Sequence, residues 1–191
     1  RLWAVRVLDA NGEGYLSDVI AGIDWITDHA DTIEVANLSL TATGKSDILR
    51  EAIQNSVAAG VVYVAAAGND GVDVYGTDGL FDTSDDVIPA AYPEVATISA
   101  MVDTDGQPGG AGPADIDGDD DTFAGFSNIS QGAIMGNPVA SPGAAIDLMM
   151  PGVSIRSCWP GARYATASGT SMASPHGAGL VALYIAAHGR T

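Results

Sequence analysis

The first 66 residues switch repeatedly between two hydrophobic periods, and this constrains the fold more than any other feature. Leu2–Leu8 (LWAVRVL) is a short apolar, branched run suited to a buried strand. Asp9-Ala10-Asn11-Gly12 has turn chemistry. Leu16, Val19, Ile20, Ile23 and Ile26 then recur at helical spacing and predict a helix over 16–30. Glu34–Leu40 reads as a second strand. Ser46-Asp47 supplies capping residues for a second helix, which Gly60 ends, and Val61–Ala66 reads as a third strand. Strands alternating with helices need crossover connections, so the sheet is expected to be parallel. Ligands of such sheets sit beyond the carboxyl ends of the strands.

Further along, Val95–Met101 and Ala145–Met150 predict two more strands. Val153–Arg156 and Arg163–Thr166 predict a hairpin around Pro160-Gly161. Thr170–His188 is apolar, Ala-rich and long enough for a buried helix, with Pro175 placed in its first turn. There is no internal repeat and no clear linker, and 191 residues suffice for one domain with a sizeable core.

Two stretches interrupt this rhythm. Asp70–Asp86 and Asp103–Asp121 together hold 13 of the 24 acidic residues, so much of the net charge of -17 is local. With only 7 Lys and Arg, a nucleic-acid-binding surface and attraction to anionic membranes are both disfavoured. No apolar run reaches the roughly 18 to 20 residues that a membrane span needs. The longest uncharged apolar stretch, Ile53–Asn69, is broken by Gly60. The first residue is Arg, not Met, which reads as a processed chain or a fragment. Cys158 has no partner for an internal disulfide and is expected to be a small packed residue.

The segment Gly169-Thr170-Ser171-Met172-Ala173-Ser174-Pro175-His176 carries the most chemistry. Ser171 stands at a Gly-bearing turn before a long helix, where free N–H groups and the helix dipole favour a developing negative charge. Taken alone, Thr or Ser at such a place is more often a helix cap. The segment is not the Gly-x-Ser-x-Gly elbow, because Ala173 stands where the second Gly belongs. Gly12-x-Gly14, following a strand and preceding a helix, is a partial dinucleotide-binding motif with Ser17 in place of the third Gly.

GTSMASPH (169–176) resembles the nucleophile motif of the subtilisin-like serine proteases, the subtilases. Ala65-Ala66-Ala67-Gly68-Asn69-Asp70-Gly71 resembles that family's oxyanion-hole segment, and Asn37-Leu38-Ser39-Leu40 its substrate-binding strand. Leu2–Leu8 with Gly12-Glu13-Gly14 resembles the other strand flanking bound peptide, and Pro151–Ile155 the segment before the nucleophile. The matches occur in family order and cover nearly the whole chain apart from the Asp-rich stretches. The resemblance implies a subtilisin-like α/β fold of three layers, a mostly parallel sheet with helices on both faces, here incomplete. It implies one partial catalytic domain over 1–191, with Asp-rich insertions near 70–88 and 103–122.

Carried over by position, the resemblance makes Ser171 the acylated nucleophile of an endopeptidase and Asn69 the side-chain oxyanion donor. A polypeptide substrate would lie between Gly12, Glu13 and Gly14 on one side and Ser39, Leu40 and Thr41 on the other, with Ala67, Gly68, Asp70 and Thr170 around its carbonyl. Thr41 replaces the family's usual Gly and would narrow the pocket for the residue before the scissile bond, or shift the peptide. Asp70 would favour a cationic side chain there. The family's catalytic Asp and His precede the segment matching Leu2, so an upstream segment is expected to carry both. The strand bearing the Asp would lie between Leu2–Leu8 and Glu34–Leu40. His29, His176 and His188 match no catalytic His motif, so the chain alone is expected to be nearly inactive and marginally stable. The competing expectation is a non-catalytic, calcium-stabilised peptide-binding module on the same fold.

Many subtilases bind structural calcium, and hard cations take six to eight oxygens from flexible loops. Asp115, Asp117, Asp119 and Asp121, at alternate positions around Gly118, form one candidate set. Asp78, Asp82, Asp85 and Asp86 form a second, and Asp103 with Asp105 a third. A solvated acidic surface is the bland alternative. The resemblance further implies secretion. Asn128-Ile129-Ser130 is a glycan acceptor sequence if the host glycosylates.

Overall fold

The structure is a computed structural model that describes residues 1–131 and 145–190. Its centre is a four-stranded parallel sheet in the order β1 (Val35–Leu38), β3 (Val62–Ala66), β5 (Val95–Met101), β6 (Leu148–Pro151). Helices α1 (Leu16–Asp28) and α2 (Asp47–Ala58) cover one face, and α3 (Thr170–His188) covers the other. The expected three-layer α/β architecture is therefore present.

The first helical layer follows from the spacing of its apolar residues. Val19, Ile23 and Ile26 of α1 and Leu49 and Ile53 of α2 meet Tyr63, Ala65 and Val95 in one core. Burying each Leu or Ile there is worth about 1.5–3 kcal/mol. The Ser46 hydroxyl caps α2 by accepting from the Leu49 N–H at 3.2 Å. Inside this core the Tyr63 hydroxyl donates to Ser56 Oγ at 2.9 Å, and burial pushes its pKa up to about 12. On the opposite face, Val64, Ile98, Ala100 and Ala173 form a second core beneath α3. Gly177 allows the close approach, since a Cβ there would stand 2.9 Å from the Ile98 side chain.

Five expectations need correction. Leu2–Leu8 forms no strand, although Val5 and Val7 pack half-buried against the first core. Apolar patterning reports burial, whereas a strand also needs a hydrogen-bonding neighbour, and a groove of about 620 Å³ separates residues 1–7 from β1. The strand expected at Ala145–Met150 is displaced to Leu148–Pro151, because Ala145 is taken up by a separate small core with Val74, Tyr75 and Val87. Pro175 is the sixth helical residue of α3, so it lies in the second turn. The outer face of α3 is not buried, with Leu183 71% exposed and Tyr184 58%. Cys158 is exposed on β7 (Ile155–Trp159), which pairs with β8 (Arg163–Ala167) as a hairpin apart from the main sheet. A short antiparallel pair, β2 (Ala42–Thr43) with β4 (Val87–Ile88), was not anticipated.

Candidate active site

The carboxyl ends of β1 and β3 and the amino end of α3 converge. β3 ends at Ala66, and the Ala67 N–H makes one more sheet bond to Ile98 O at 3.0 Å before the chain turns at Gly68. Gly68 has φ +105, a backbone state that a side chain disfavours. Asn69 follows, exposed. The Thr170 N–H donates to Asn69 Oδ1 at 2.7 Å, and the Thr170 hydroxyl donates to the same oxygen at 3.0 Å. That hydroxyl also accepts from the Gly68 N–H at 3.1 Å. The Asn69 carbonyl end is thus saturated by Thr170. Its Nδ2 end has no protein partner among the described residues and is available to an acceptor outside the chain. Thr170 is fully buried, so its side chain orients Asn69 and is not itself open to a substrate.

Ser171 comes next in the first turn of α3 and is half-buried. Its hydroxyl donates to Ser39 O at 3.2 Å. In return the Ser39 hydroxyl donates to Ser171 O at 2.9 Å. Pro175 explains this second bond. A helix normally satisfies the carbonyl of residue 171 with the N–H of residue 175, and proline has none. The orphaned carbonyl is met by Ser39, which also lies 3.0 Å from Ser174 Oγ. A residue that interrupts the helix ladder therefore ties α3 to the segment following β1.

Leu40 is half-buried and Thr41 exposed beyond Ser39. Gly12, Glu13 and Gly14 are exposed in a turn that Asp9 closes, its carboxylate accepting from the N–H groups of Asn11 and Glu13 at 2.8 and 3.0 Å. Those bonds hold the Asp9 carboxyl below its ordinary range. Ala67 and Gly68 are buried, while Asp70 is exposed. All three histidines are engaged within their own helices. His29, His176 and His188 each place Nδ1 within 2.7–3.0 Å of the carbonyl four residues earlier.

The acidic residues are arranged differently from the expected sets. Among the described residues, Asp103, Asp120 and Asp121 are the ones that bring three carboxylate oxygens within 4.8 Å of one another. Asp121 belonged to the first expected set, and Asp115, Asp117 and Asp119 stand outside this trio. Asp115 instead accepts from the Ser154 hydroxyl at 3.1 Å. In the second set, Asp85 accepts from the Thr77 N–H at 2.7 Å, from the Thr77 hydroxyl and from the Thr83 hydroxyl, which lower its pKa to about 2. Asp86 is buried, and desolvation raises its pKa despite bonds from the N–H groups of Asp82 and Thr83. Asp82 pairs with Lys45, and Asp78 accepts from the Leu80 N–H at 2.8 Å. Sequence spacing found the acidic stretches but not the trio, whose members come from two segments 17 and 18 residues apart.

Asn128 reads in the sequence only as part of a glycan acceptor, and the structure places it differently. It is fully buried, and its amide is consumed by backbone groups of residues 67–72, so it cannot accept a glycan in the folded protein.

The model of the subtilase family matches residues 1–190. The chain is 34% identical over 187 residues to subtilisin NAT of Bacillus subtilis subsp. natto, covering 98% of this chain and 39% of that protein. It is equally similar to a subtilisin of Bacillus pumilus, covering 54% of it. A crystal structure of a cold adapted subtilisin-like serine proteinase superposes with a TM-score of 0.71 at 32% identity, over 97% of this chain and 53% of that one. The chain thus spans about half the length, or less, of these relatives. A sheet with α3 beneath it, a serine at the head of that helix and an asparagine amide tied to the preceding residue agree with this likeness. The chain belongs to the subtilase family.

Proposed function

We propose that this chain forms the nucleophile-bearing part of a serine endopeptidase. The observation that carries the reading is the pinning of the Asn69 amide by Thr170, 101 residues away and adjacent to Ser171. That arrangement ties the amide to the neighbour of Ser171, and on this reading the Ser171 hydroxyl and the unused amide N–H face one peptide carbonyl. There, Ser171 Oγ adds to the carbonyl carbon of a peptide bond. Asn69 Nδ2 and the Ser171 backbone N–H then stabilise the oxyanion, with the positive end of α3 beneath them. A base takes the hydroxyl proton and returns it to the leaving nitrogen as the C–N bond breaks. Water then hydrolyses the acyl-enzyme by the same route in reverse.

The base and the acid that orients it come from a segment upstream of Arg1. The three histidines of this chain are committed to their own helices, and Ser171 contacts a carbonyl rather than a base. The groove of about 620 Å³ between residues 1–7 and β1 supports this placement, because it is lined by Leu2, Trp3, Val5, Ile23, Val35 and Leu38 and runs along a strand paired on one edge only. A strand entering there would lie along β1, whose sheet neighbour among the described residues is β3, and would cover exposed Leu2 and Trp3. The substrate is an extended polypeptide held between Gly12–Gly14 and Ser39–Thr41 by backbone pairing. Thr41 and Asp70 adjust the choice of side chain. The protein acts outside the cell, as the family resemblance implies.

Calcium is the cation proposed for Asp103, Asp120 and Asp121. An all-oxygen, carboxylate donor set suits a hard cation. Asp120 already accepts from the N–H groups of Thr104 and Gly112 at 2.8 and 2.7 Å, which fixes its orientation without using every lone pair. Calorimetry with Ca²⁺ after chelation is expected to show heat that disappears in Asp121→Asn.

A fluorophosphonate probe tests the main reading. The protein carrying its upstream segment should be labelled at Ser171 and should hydrolyse a peptide anilide, whereas the 191 residues alone should do neither at a measurable rate. Failure of the upstream-extended protein to react would favour a peptide-binding module without catalysis, consistent with the Ser171–Ser39 bond.

A further inference from the structure

We propose that Asn128 is a positioning residue for Asn69, acting through the loop that carries it. This rests on the reading of Asn69 as the oxyanion donor. Asn128 is 56 to 61 residues away in sequence from the loop residues it contacts and touches them on both sides of Asn69. Its Nδ2 donates to Ala67 O at 2.9 Å. Its Oδ1 accepts from the N–H groups of Asp70 at 3.0 Å and Val72 at 3.2 Å. Its own N–H donates to Gly68 O at 3.0 Å. One residue therefore holds backbone groups of residues 67, 68, 70 and 72, which flank residue 69 on both sides.

The chemistry of the side chain matches this task closely. An amide supplies a donor and a two-lone-pair acceptor on one short stem. Aspartate lacks the donor, leucine lacks both, and serine is too short to bridge residues 67 and 72. Gly68 completes the fit, because any Cβ there would run into the Asn128 amide. Asn128 is fully buried in a polar setting, so every bond it loses leaves an unpaired backbone group.

Thr170 cannot do this alone. It grips the Asn69 side chain and the Gly68 N–H, but nothing beyond residue 69. Past that point the loop enters solvent, with Asp70, Gly71 and Val72 exposed. Without Asn128, residues 70–72 keep two other anchors, the Gly71 N–H on Phe126 O and the Ile129 N–H on Val72 O. The loop would persist but lose the bonds nearest Asn69. An oxyanion donor must lie within about 2.7–3.1 Å of the charge it stabilises, and a misplacement of about 1 Å costs about 100-fold. The loss should fall on kcat, because the donor acts on a charge that exists only in the transition state.

The test uses the upstream-extended protein and four variants: Asn128→Ala, Asn128→Asp, Asn69→Ala and the double change Asn128→Ala with Asn69→Ala. Asn128→Ala is expected to lower kcat about 10- to 100-fold with KM within about twofold. In the Asn69→Ala background the same change should cost less than about threefold, because the group it positions is gone. Equal losses in both backgrounds, or no loss in either, would overturn the proposal. If Asn128→Ala does not fold, Asn128→Asp replaces it in both backgrounds, keeping the two acceptor bonds and losing the one to Ala67 O. Amide hydrogen exchange provides a readout independent of activity. Exchange at Asp70 and Val72 should rise at least tenfold in Asn128→Ala while the β3 and β5 amides hold their protection. Unchanged exchange at residues 70 and 72 overturns the clamp even if the protein proves to be no protease. A wild-type protein that hydrolyses nothing but shows the rise would defeat the protease reading and leave the clamp standing.

Discussion

The cradle around Asn69 and the acidic loop 76–86 are both irregular backbone, yet they are held together in opposite ways. In the cradle, the deciding bonds join residues 101, 102, 58 and 61 positions apart. In the acidic loop, the Asp85 and Asp86 carboxylates bond to groups no more than 8 positions away, and the ties to a remote segment are fewer, from Lys45 to Asp82 and from the Gly44 N–H to Asp86 O. Long-range bonds at the end of a buried sheet tie an amide to segments that pack against that sheet. Bonds within one segment shape a loop but do less to fix its placement. On the proposed function, the difference separates a surface that stabilises one developing charge from a solvated acidic loop.

The largest effect should come from the centre of the cradle. Ser171→Ala in the upstream-extended protein is expected to abolish peptide-anilide hydrolysis, by about 10⁶-fold in kcat. That figure is the one known for subtilisin itself and is carried over from the family. Measurable residual turnover near the wild-type rate would break the comparison at its root. Next, Thr170→Val keeps the shape but removes the hydroxyl shared by Gly68 and Asn69. It should lower kcat about 10- to 100-fold and cost about 1–3 kcal/mol of stability, since the buried Gly68 N–H loses its acceptor. A urea titration together with steady-state kinetics reads both effects. If stability falls and kcat does not, the hydroxyl is structural only.

Gly177→Ala probes the packing beneath the cradle. The added methyl would press on Ile98, and a loss of about 1–3 kcal/mol is expected by thermal unfolding. An unchanged melting temperature would mean that α3 can slide away from the sheet at no cost. The smallest effect belongs to the acidic loop. Asp85 has a folded pKa lowered to about 2, so its contribution is present above its unfolded value near 3.9 and is lost as the pH falls toward 2. Asp86 works in the opposite sense, because its raised folded pKa makes protonation favour the folded state. Hydrogen exchange across residues 76–86 between pH 5 and 2 should therefore show loosening that Asp85→Asn reproduces at neutral pH, while protection of the cradle is retained.

Much of this was legible in the residues. Helix α1 announced itself through the spacing of Leu16, Val19, Ile20, Ile23 and Ile26, α2 through its Ser46-Asp47 cap and closing Gly60, and α3 through a long Ala-rich apolar run. The motif around Ser171 and the Ala-Ala-Gly-Asn run marked the two halves of the site. Other features were hidden because the sequence does not carry their cause. Leu2–Leu8 has a strand's pattern without a strand's neighbour. Leu183 and Tyr184 have a core helix's composition without a layer above them. The Asp103–Asp120–Asp121 trio depends on two loop segments meeting, which spacing within either segment could not foretell.

The sequence by itself determined the order of the three helices and of the four strands of the main sheet, that sheet's parallel sense, and the identity of the hydroxyl and the amide. These follow from periodicity, turn chemistry and a specific eight-residue motif, all of which are local. Only the tertiary structure decided that Thr170 turns the Asn69 amide, that Ser39 satisfies the carbonyl orphaned by Pro175, and that Asn128 grips the loop from the other side. Each of these is a hydrogen bond between segments remote in the chain, and its partners are chosen by packing rather than by spacing. Orientation of a candidate site group is a property of the fold, even where its identity is a property of the chain.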